Sequence, residues 1–382
     1  MAVLFLVPLL VLPIFLLGLL VWTIFKHFFI IEVPSALKHP VKFRILDCLI
    51  EYAVTLPTKV GGDQRRNRYR KSPHAPIVAA FPELVDEMLG TSHGTPRVCS
   101  CVADFYHNVC SFLARETDSV LLAVGYRKFP QYHYPVIADD CLNASIHFPR
   151  TLKTYGVDPS RVVVCGDSTG GAAVTHITQV LLGQTDLPQI RAQILIYPIV
   201  QSINFQLPST QQYQNVPFLT QDFLMMCLCK YMAIDPSWKD AILKGVYIPP
   251  DVWKKYRKWL SYDNIPKSFK NKYREPHFPG PFNEAAYLEM KHLFVVENQS
   301  LLADDEIIAQ LPEAFLVSCE SDVLRDHTLL YKKRLEDQGV PVSWYHVKDG
   351  FHGCINLFDR KPFSFPCSQK ILDAVVSYIN SI

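Results

Sequence analysis

From Asp118 to the C-terminus, short apolar runs alternate with helix-patterned stretches at regular spacing. "DSVLLAVGYR", "RVVVCGD", "IRAQILIYPIV", "EAFLVSCES" and "PVSWYHVK" read as buried strands. Between and after them, "ADDCLNASIHFPRTLKTY", "TGGAAVTHITQVLLG", "TLLYKKRLEDQG" and a closing stretch through "ILDAVVSYINSI" read as helices. Strands that are apolar on both sides need cover on both faces, so this alternation predicts an α/β fold with a mostly parallel central sheet and helices on both faces. Residues 202–310 break the rhythm with aromatic-, Met- and Pro-rich segments such as "FLTQDFLMMCLCKYMA" and "DVWKKYRKWL". They read as a helical insertion over the sheet, a candidate lid and substrate wall. A chain of 382 residues, about half of them hydrophobic, has ample material for a large core.

Within this frame "RVVVCGDSTGGAAV" places a G-x-S-x-G motif, Gly166 to Gly170, where a strand ends and a helix begins. That is the setting of a nucleophile elbow. The tight turn leaves no room for side chains at Gly166 and Gly170. It lifts the Ser168 hydroxyl to the sheet's C-terminal edge, at a helix N-terminus that favours negative charge. The Thr169 backbone N–H is then one oxyanion donor.

A serine hydroxyl is a poor nucleophile without a base, and the base needs an acid to fix its tautomer. In α/β-hydrolases these follow in the order serine, acid, histidine, each after a strand. "EAFLVSCESDVLRD" puts Asp322 just beyond one strand, and "PVSWYHVKDGFHG" puts His352 just beyond the next. Asp326 and Asp349 are rival acids, farther from the expected position. His346 is a rival base but sits inside its strand. The catalytic set predicted is Ser168, Asp322 and His352.

The N-terminus carries a different signal. Residues 2–25 hold no charge over 24 positions, a span of about 36 Å as a helix, against a bilayer core of roughly 30 Å. Residues 1–25 therefore read as an uncleaved single-pass transmembrane anchor, and 26–60 as a juxtamembrane helical segment. Lys26, Lys38, Lys42 and Arg44 follow the span, which favours a cytosolic body. The sequons at Asn143 and Asn298 are useful only in a lumen, so the residues alone leave orientation open.

Thirty-eight basic residues nearly balance 36 acidic ones, so there is no long-range field to attract nucleic acid. The one basic run, "RRNRYRK" at Arg65 to Lys71, reads as a solvated loop. Eleven cysteines follow neither a disulfide framework nor zinc-ligand spacing, and most read as small buried hydrophobes.

Taken together, "GDSTGG", "YRKFPQYHYPVIADD", "SDVLRD" and "DGFHG" resemble the GDXG group of lipolytic enzymes related to hormone-sensitive lipase. With the apolar N-terminus, the chain looks most like the arylacetamide deacetylase-like family. That resemblance implies an α/β-hydrolase fold, with Ser168, Asp322 and His352 as nucleophile, acid and base. It also implies an endoplasmic-reticulum anchor with a luminal catalytic domain, small hydrophobic ester, amide or lipid ester substrates, and no cofactor or metal. Residues 105–382 would form the hydrolase domain.

The departure lies at 61–104. Family members carry a His-Gly-Gly-Gly loop whose N–H groups supply further oxyanion donors. Here "GTSHGTPRVCSCVADFYHNVC" offers only His93-Gly94. The segment reads as a replacement for the early strands and the glycine loop. This supports an alternative reading, a catalytically weak or inactive relative.

Overall fold

The computed structural model describes residues 17–18, 21–22, 25–26, 33–55, 76–80, 101–127, 131–271, 273–295 and 299–382. Six strands form its sheet: β1 (Pro76–Ala80), β2 (Val120–Val124), β3 (Val163–Asp167), β4 (Ala192–Ile196), β5 (Glu313–Ser321) and β6 (Val342–Phe351). Their order is β2-β1-β3-β4-β5-β6, and every neighbouring pair is parallel. The helices used below are α1 (Pro40–Thr55), α2 (Cys101–Glu116), α3 (Val136–Arg150), α4 (Thr169–Val180), α5 (Pro208–Tyr213), α6 (Gln221–Tyr231), α7 (Lys239–Lys244), α8 (Pro250–Leu260), α9 (Glu284–Met290), α10 (Arg325–Asp337) and α11 (Pro366–Ser381).

The strands alternate between two cores, as a period of two requires. Val164, Leu195 and Leu316 face one core with Phe148 of α3, Ile177 of α4 and Leu329 and Leu335 of α10. Val163, Cys165, Ile194, Val317 and Cys319 face the other, with Phe43 of α1, Leu113 of α2 and Ile371 and Val375 of α11. The helices therefore cover both faces. Each large aliphatic side chain removed from water in this way contributes about 1.5–3 kcal/mol.

Residues between β4 and β5 make a helical excursion, α5 to α9. It shares the first core through Met225, Tyr247, Leu260 and Met290, so it packs on the domain rather than standing apart from it. Local signals start and stop its helices. The Thr220 hydroxyl caps α6 by accepting the Phe223 N–H at 3.1 Å. Pro250 and Asp251 open α8, and Arg257 and Lys258 close it.

One expectation needs correction. Residues 61–104 do not lack a strand: β1 lies inside that segment, between β2 and β3. "PIVAA" is a short apolar run of the kind a buried parallel strand needs, but the basic and Pro-containing residues around it hid the signal. The 1–25 anchor lies for the most part outside the described residues, and α1 falls within the expected helical stretch 26–60. Among the described residues, no helix is long and apolar enough to cross a membrane.

Candidate active site

Ser168 sits between β3 and α4 with φ 54° and ψ −119°, a backbone region that costs a non-glycine residue about 1–3 kcal/mol. The turn is held from several sides. The Ser168 N–H donates to the Ile196 carbonyl at 2.9 Å, and the Ser168 carbonyl accepts from Ala172 and Ile199, each at 3.3 Å. A Cβ on Gly166 would lie 2.2 Å from the Gly170 carbonyl oxygen, so the backbone of Gly170 fills the space a side chain would need. Gly171, not singled out from the sequence, is equally constrained: its Cβ would lie 2.6 Å from Pro198 Cβ. Close packing of α4 on the chain leaving β4 demands that glycine.

The C-terminal ends of β3, β5 and β6 bring the three predicted residues together. Ser168 Oγ lies 2.8 Å from His352 Nε2. His352 Nδ1 lies 2.9 Å from Asp322 Oδ2. The Leu324 N–H donates to Asp322 Oδ1 at 2.7 Å, which fixes the carboxylate plane. Asp322 and His352 are buried and Ser168 is 6% exposed, so the chain of hydrogen bonds is shielded from bulk water. Thr169 opens α4 beside the serine and is exposed. As the first amide of the helix, its N–H has no intrahelical acceptor.

The rivals are occupied elsewhere. Asp326 pairs with the buried Arg325 at 2.9 Å and accepts the Ser209 N–H at 2.7 Å. Burial pushes Asp326 upward, and Arg325 opposes that shift. Asp349 pairs with Lys370 at 2.7 Å. His346 bonds Glu320 at 2.8 Å and Ser318 at 2.9 Å. For Glu320, burial alone would raise the pKa. Hydrogen bonds from His346 and Tyr213 and the charge of Arg325 prevail and bring it down to about 2. This cluster clamps the excursion to the acid loop, because Tyr213 belongs to α5 and Phe269 packs on both Arg325 and His346.

Three further groups surround the serine–histidine pair, and sequence reasoning assigned them no role. Asp167, buried just before Ser168, accepts the hydroxyls of Tyr106 at 3.3 Å and Tyr197 at 3.2 Å. Burial raises it to about 7. The Tyr197 ring lies against the His352 imidazole, with centroids 4.7 Å apart. Burial pushes His327 down to about 3, with the His352 charge acting in the same direction. Asp167 stood inside the motif, but nothing local to it points to Tyr197 or Tyr106.

Of the predicted glycosylation positions, Asn143 is exposed on α3, whereas Asn298 lies outside the described residues, as does His93-Gly94. Among the described residues, no cluster of His, Cys, Asp or Glu could hold a metal.

Comparison with known proteins places the chain among the α/β-hydrolases. A family model described as the alpha/beta hydrolase fold matches residues 92–257 and 284–356. "Arylacetamide deacetylase-like 4" of Homo sapiens is 57% identical, covering 100% of both chains. That alignment runs over 408 positions against 382 residues here, so at least 26 positions are gaps in this chain. "Neutral cholesterol ester hydrolase 1" of Bos taurus is 30% identical over 72% of this chain and 69% of its own. Carboxyl esterase 2 from the fungus Tuber melanosporum shares the fold with a TM-score of 0.56 at 19% identity, over 80% of this chain and 77% of its own. The family match begins at residue 92, so the tail of the atypical segment is family-like. By fold, by site geometry and by identity along its whole length, the chain belongs to the arylacetamide deacetylase-like family of α/β-hydrolases.

Proposed function

We propose that this chain is a membrane-anchored serine hydrolase that cleaves small hydrophobic carboxylic ester, amide or lipid ester bonds through an acyl-enzyme on Ser168. The observation that carries the reading is the continuous path from Ser168 Oγ through His352 to Asp322, at 2.8 and 2.9 Å. His352 Nε2 takes the hydroxyl proton as Oγ attacks the substrate carbonyl carbon. The oxyanion is met by the Thr169 N–H and the dipole of α4. His352 then returns the proton to the leaving alcohol or amine. In the second half, His352 deprotonates water, which attacks the acyl-serine and releases the carboxylic acid. Asp322 holds the Nδ1–H tautomer and stabilises the imidazolium. The helical excursion serves as lid and substrate wall.

The uncharged run at 2–25 supports the anchor, and the sequons at Asn143 and Asn298 support a body in the endoplasmic-reticulum lumen. A second reading, a weak or inactive relative, is favoured by one observation. The chain leaves β1 at Ala80, paired with Gly166, so residues after 80 start at the edge where oxyanion donors belong. Residues 81–100 contain only Gly90 and Gly94, with no glycine run.

The test is labelling of the full-length protein with a fluorophosphonate probe, alongside turnover of a p-nitrophenyl ester. Labelling and turnover lost together in Ser168→Ala support the hydrolase. An unlabelled, folded wild type supports the inactive relative. Glycosidase-sensitive mass on Asn143, removed by Asn143→Gln, checks the luminal placement.

A further inference from the structure

Ser168 and His352 share their surroundings with a second carboxyl that the reaction as written leaves unused. Asp167 is 1% exposed, and both Tyr106 and Tyr197 donate to the same oxygen, Oδ2. Its other oxygen, Oδ1, is buried without a hydrogen-bond partner among the described residues. A carboxyl kept only to tie two tyrosines would be better served by a neutral amide, which needs no such desolvation. Tyr197 leads from this carboxyl directly to the base. It is fully buried, held at φ 37°, and its ring meets the imidazole with planes inclined at 51°.

We propose that Tyr197 and Asp167 are positioning residues that act through His352. The phenol ring limits the tilt of the imidazole, and the carboxylate holds the phenol and stabilises the imidazolium formed when Ser168 gives up its proton. This rests on the serine-hydrolase reading and deepens it, adding a second anion behind the base besides Asp322.

The electrical setting supports the assignment. Burial raises Asp167, and the positive charge on His352 acts in the opposite direction. Other ionisable groups nearby stay neutral around pH 7. Burial pushes up the phenols of Tyr106, Tyr126 and Tyr197. It pushes up the thiols of Cys110, Cys165, Cys319 and Cys354 as well. His327 is pushed down to about 3. Asp349, three residues before His352, is paired with Lys370, so the carboxyls linked to the imidazole are Asp322 by hydrogen bond and Asp167 through the Tyr197 ring.

The experiment follows the rate of Ser168 phosphonylation against pH in full-length wild type, Asp167→Asn and Tyr197→Phe. In parallel, ¹⁵N-histidine spectra titrate the His352 ring, identified by its loss in His352→Asn. Removing an anion makes the imidazolium less stable. Because Asp167 itself is raised to about 7, its charge acts on the upper part of the limb, and the acid limb and the ring titration in Asp167→Asn should move down by up to about one pH unit, the size expected of one buried charge an aromatic ring away. Tyr197→Phe keeps the ring but drops its bond to Asp167, and should move both in the same direction by less. A folded Asp167→Asn whose limb and titration match wild type overturns the proposal. If Asp167→Asn fails to fold, an unshifted Tyr197→Phe overturns it equally. If wild type is not phosphonylated, the hydrolase reading fails by itself. The ring titration then decides: a downward shift supports the coupling and its absence refutes it.

Discussion

Replacing Asp322 by Asn keeps the size of the side chain and changes only what its atoms offer. In the wild type, Oδ1 accepts the Leu324 N–H at 2.7 Å and Oδ2 faces His352 Nδ1 at 2.9 Å. An asparagine has one acceptor oxygen for these two places. If the oxygen faces His352, the amide NH2 points at the buried Leu324 N–H, leaving a donor unsatisfied at a cost of about 1–3 kcal/mol. The lower-energy arrangement keeps the oxygen on Leu324 and presents NH2 to His352. The ring must then accept at Nδ1 and carry its proton on Nε2, facing Ser168. In that tautomer His352 cannot take the serine proton. The loss expected is about 10⁴ in kcat, or some 5–6 kcal/mol of transition-state stabilisation. The assay is p-nitrophenyl ester turnover, with the thermal midpoint measured on the same sample. A folded Asp322→Asn that keeps turnover within tenfold of wild type would refute the assignment of Asp322 and the tautomer argument together.

Gly171→Ala puts a Cβ 2.6 Å from Pro198 Cβ and 3.0 Å from Pro198 Cα, and should cost about 1–3 kcal/mol in urea unfolding as α4 is pushed off the chain leaving β4. Arg325→Met removes the cation that pairs with the fully buried Asp326 at 2.9 Å and with Glu320 at 3.2 Å. A loss of about 3–5 kcal/mol in the same assay is expected, and a loss below about 1 kcal/mol would show that the clamp is dispensable. Two carboxyls should shape acid stability with opposite signs. Glu320 is brought from 4.5 to about 2, so its contribution is present above pH 4.5 and lost as pH falls toward 2; Glu320→Gln should flatten that slope. Asp167 is raised from 3.8 to about 7, so the native state binds the extra proton, and stability falls as pH rises from about 4 to 7; Asp167→Asn should abolish that fall.

Much of the site is legible because it sits at strand ends. "EAFLVSCES" coincides with β5 at Glu313–Ser321, and the residue after it is the one that reaches the histidine. Asp326 and Asp349 are indistinguishable from Asp322 by composition. They differ in what lies across from them, Arg325 and Ser209 for one and Lys370 for the other. The anions around His352 divide in the same way. Asp322 is visible through the order of motifs, whereas Asp167 acquires its environment from Tyr106 on α2 and Tyr197 after β4. Contacts of that separation leave no local pattern. Strand β1 was hidden for another reason: five apolar residues beside a basic run carry too little periodicity to compete with their surroundings.

The placement of β1 changes where the catalytic question has to be asked. Ser168, Asp322 and His352 hang on β3, β5 and β6, whose two faces are sealed by large cores. The first amide of α4 follows Ser168, and β1 ends at Ala80 opposite Gly166. Each oxyanion donor is worth about 10²–10³ in rate. We expect substitutions within residues 81–100 to scale p-nitrophenyl ester turnover by up to that factor without altering the Ser168–His352 hydrogen bond, and wild-type turnover across a set of such variants would show that the donors lie elsewhere.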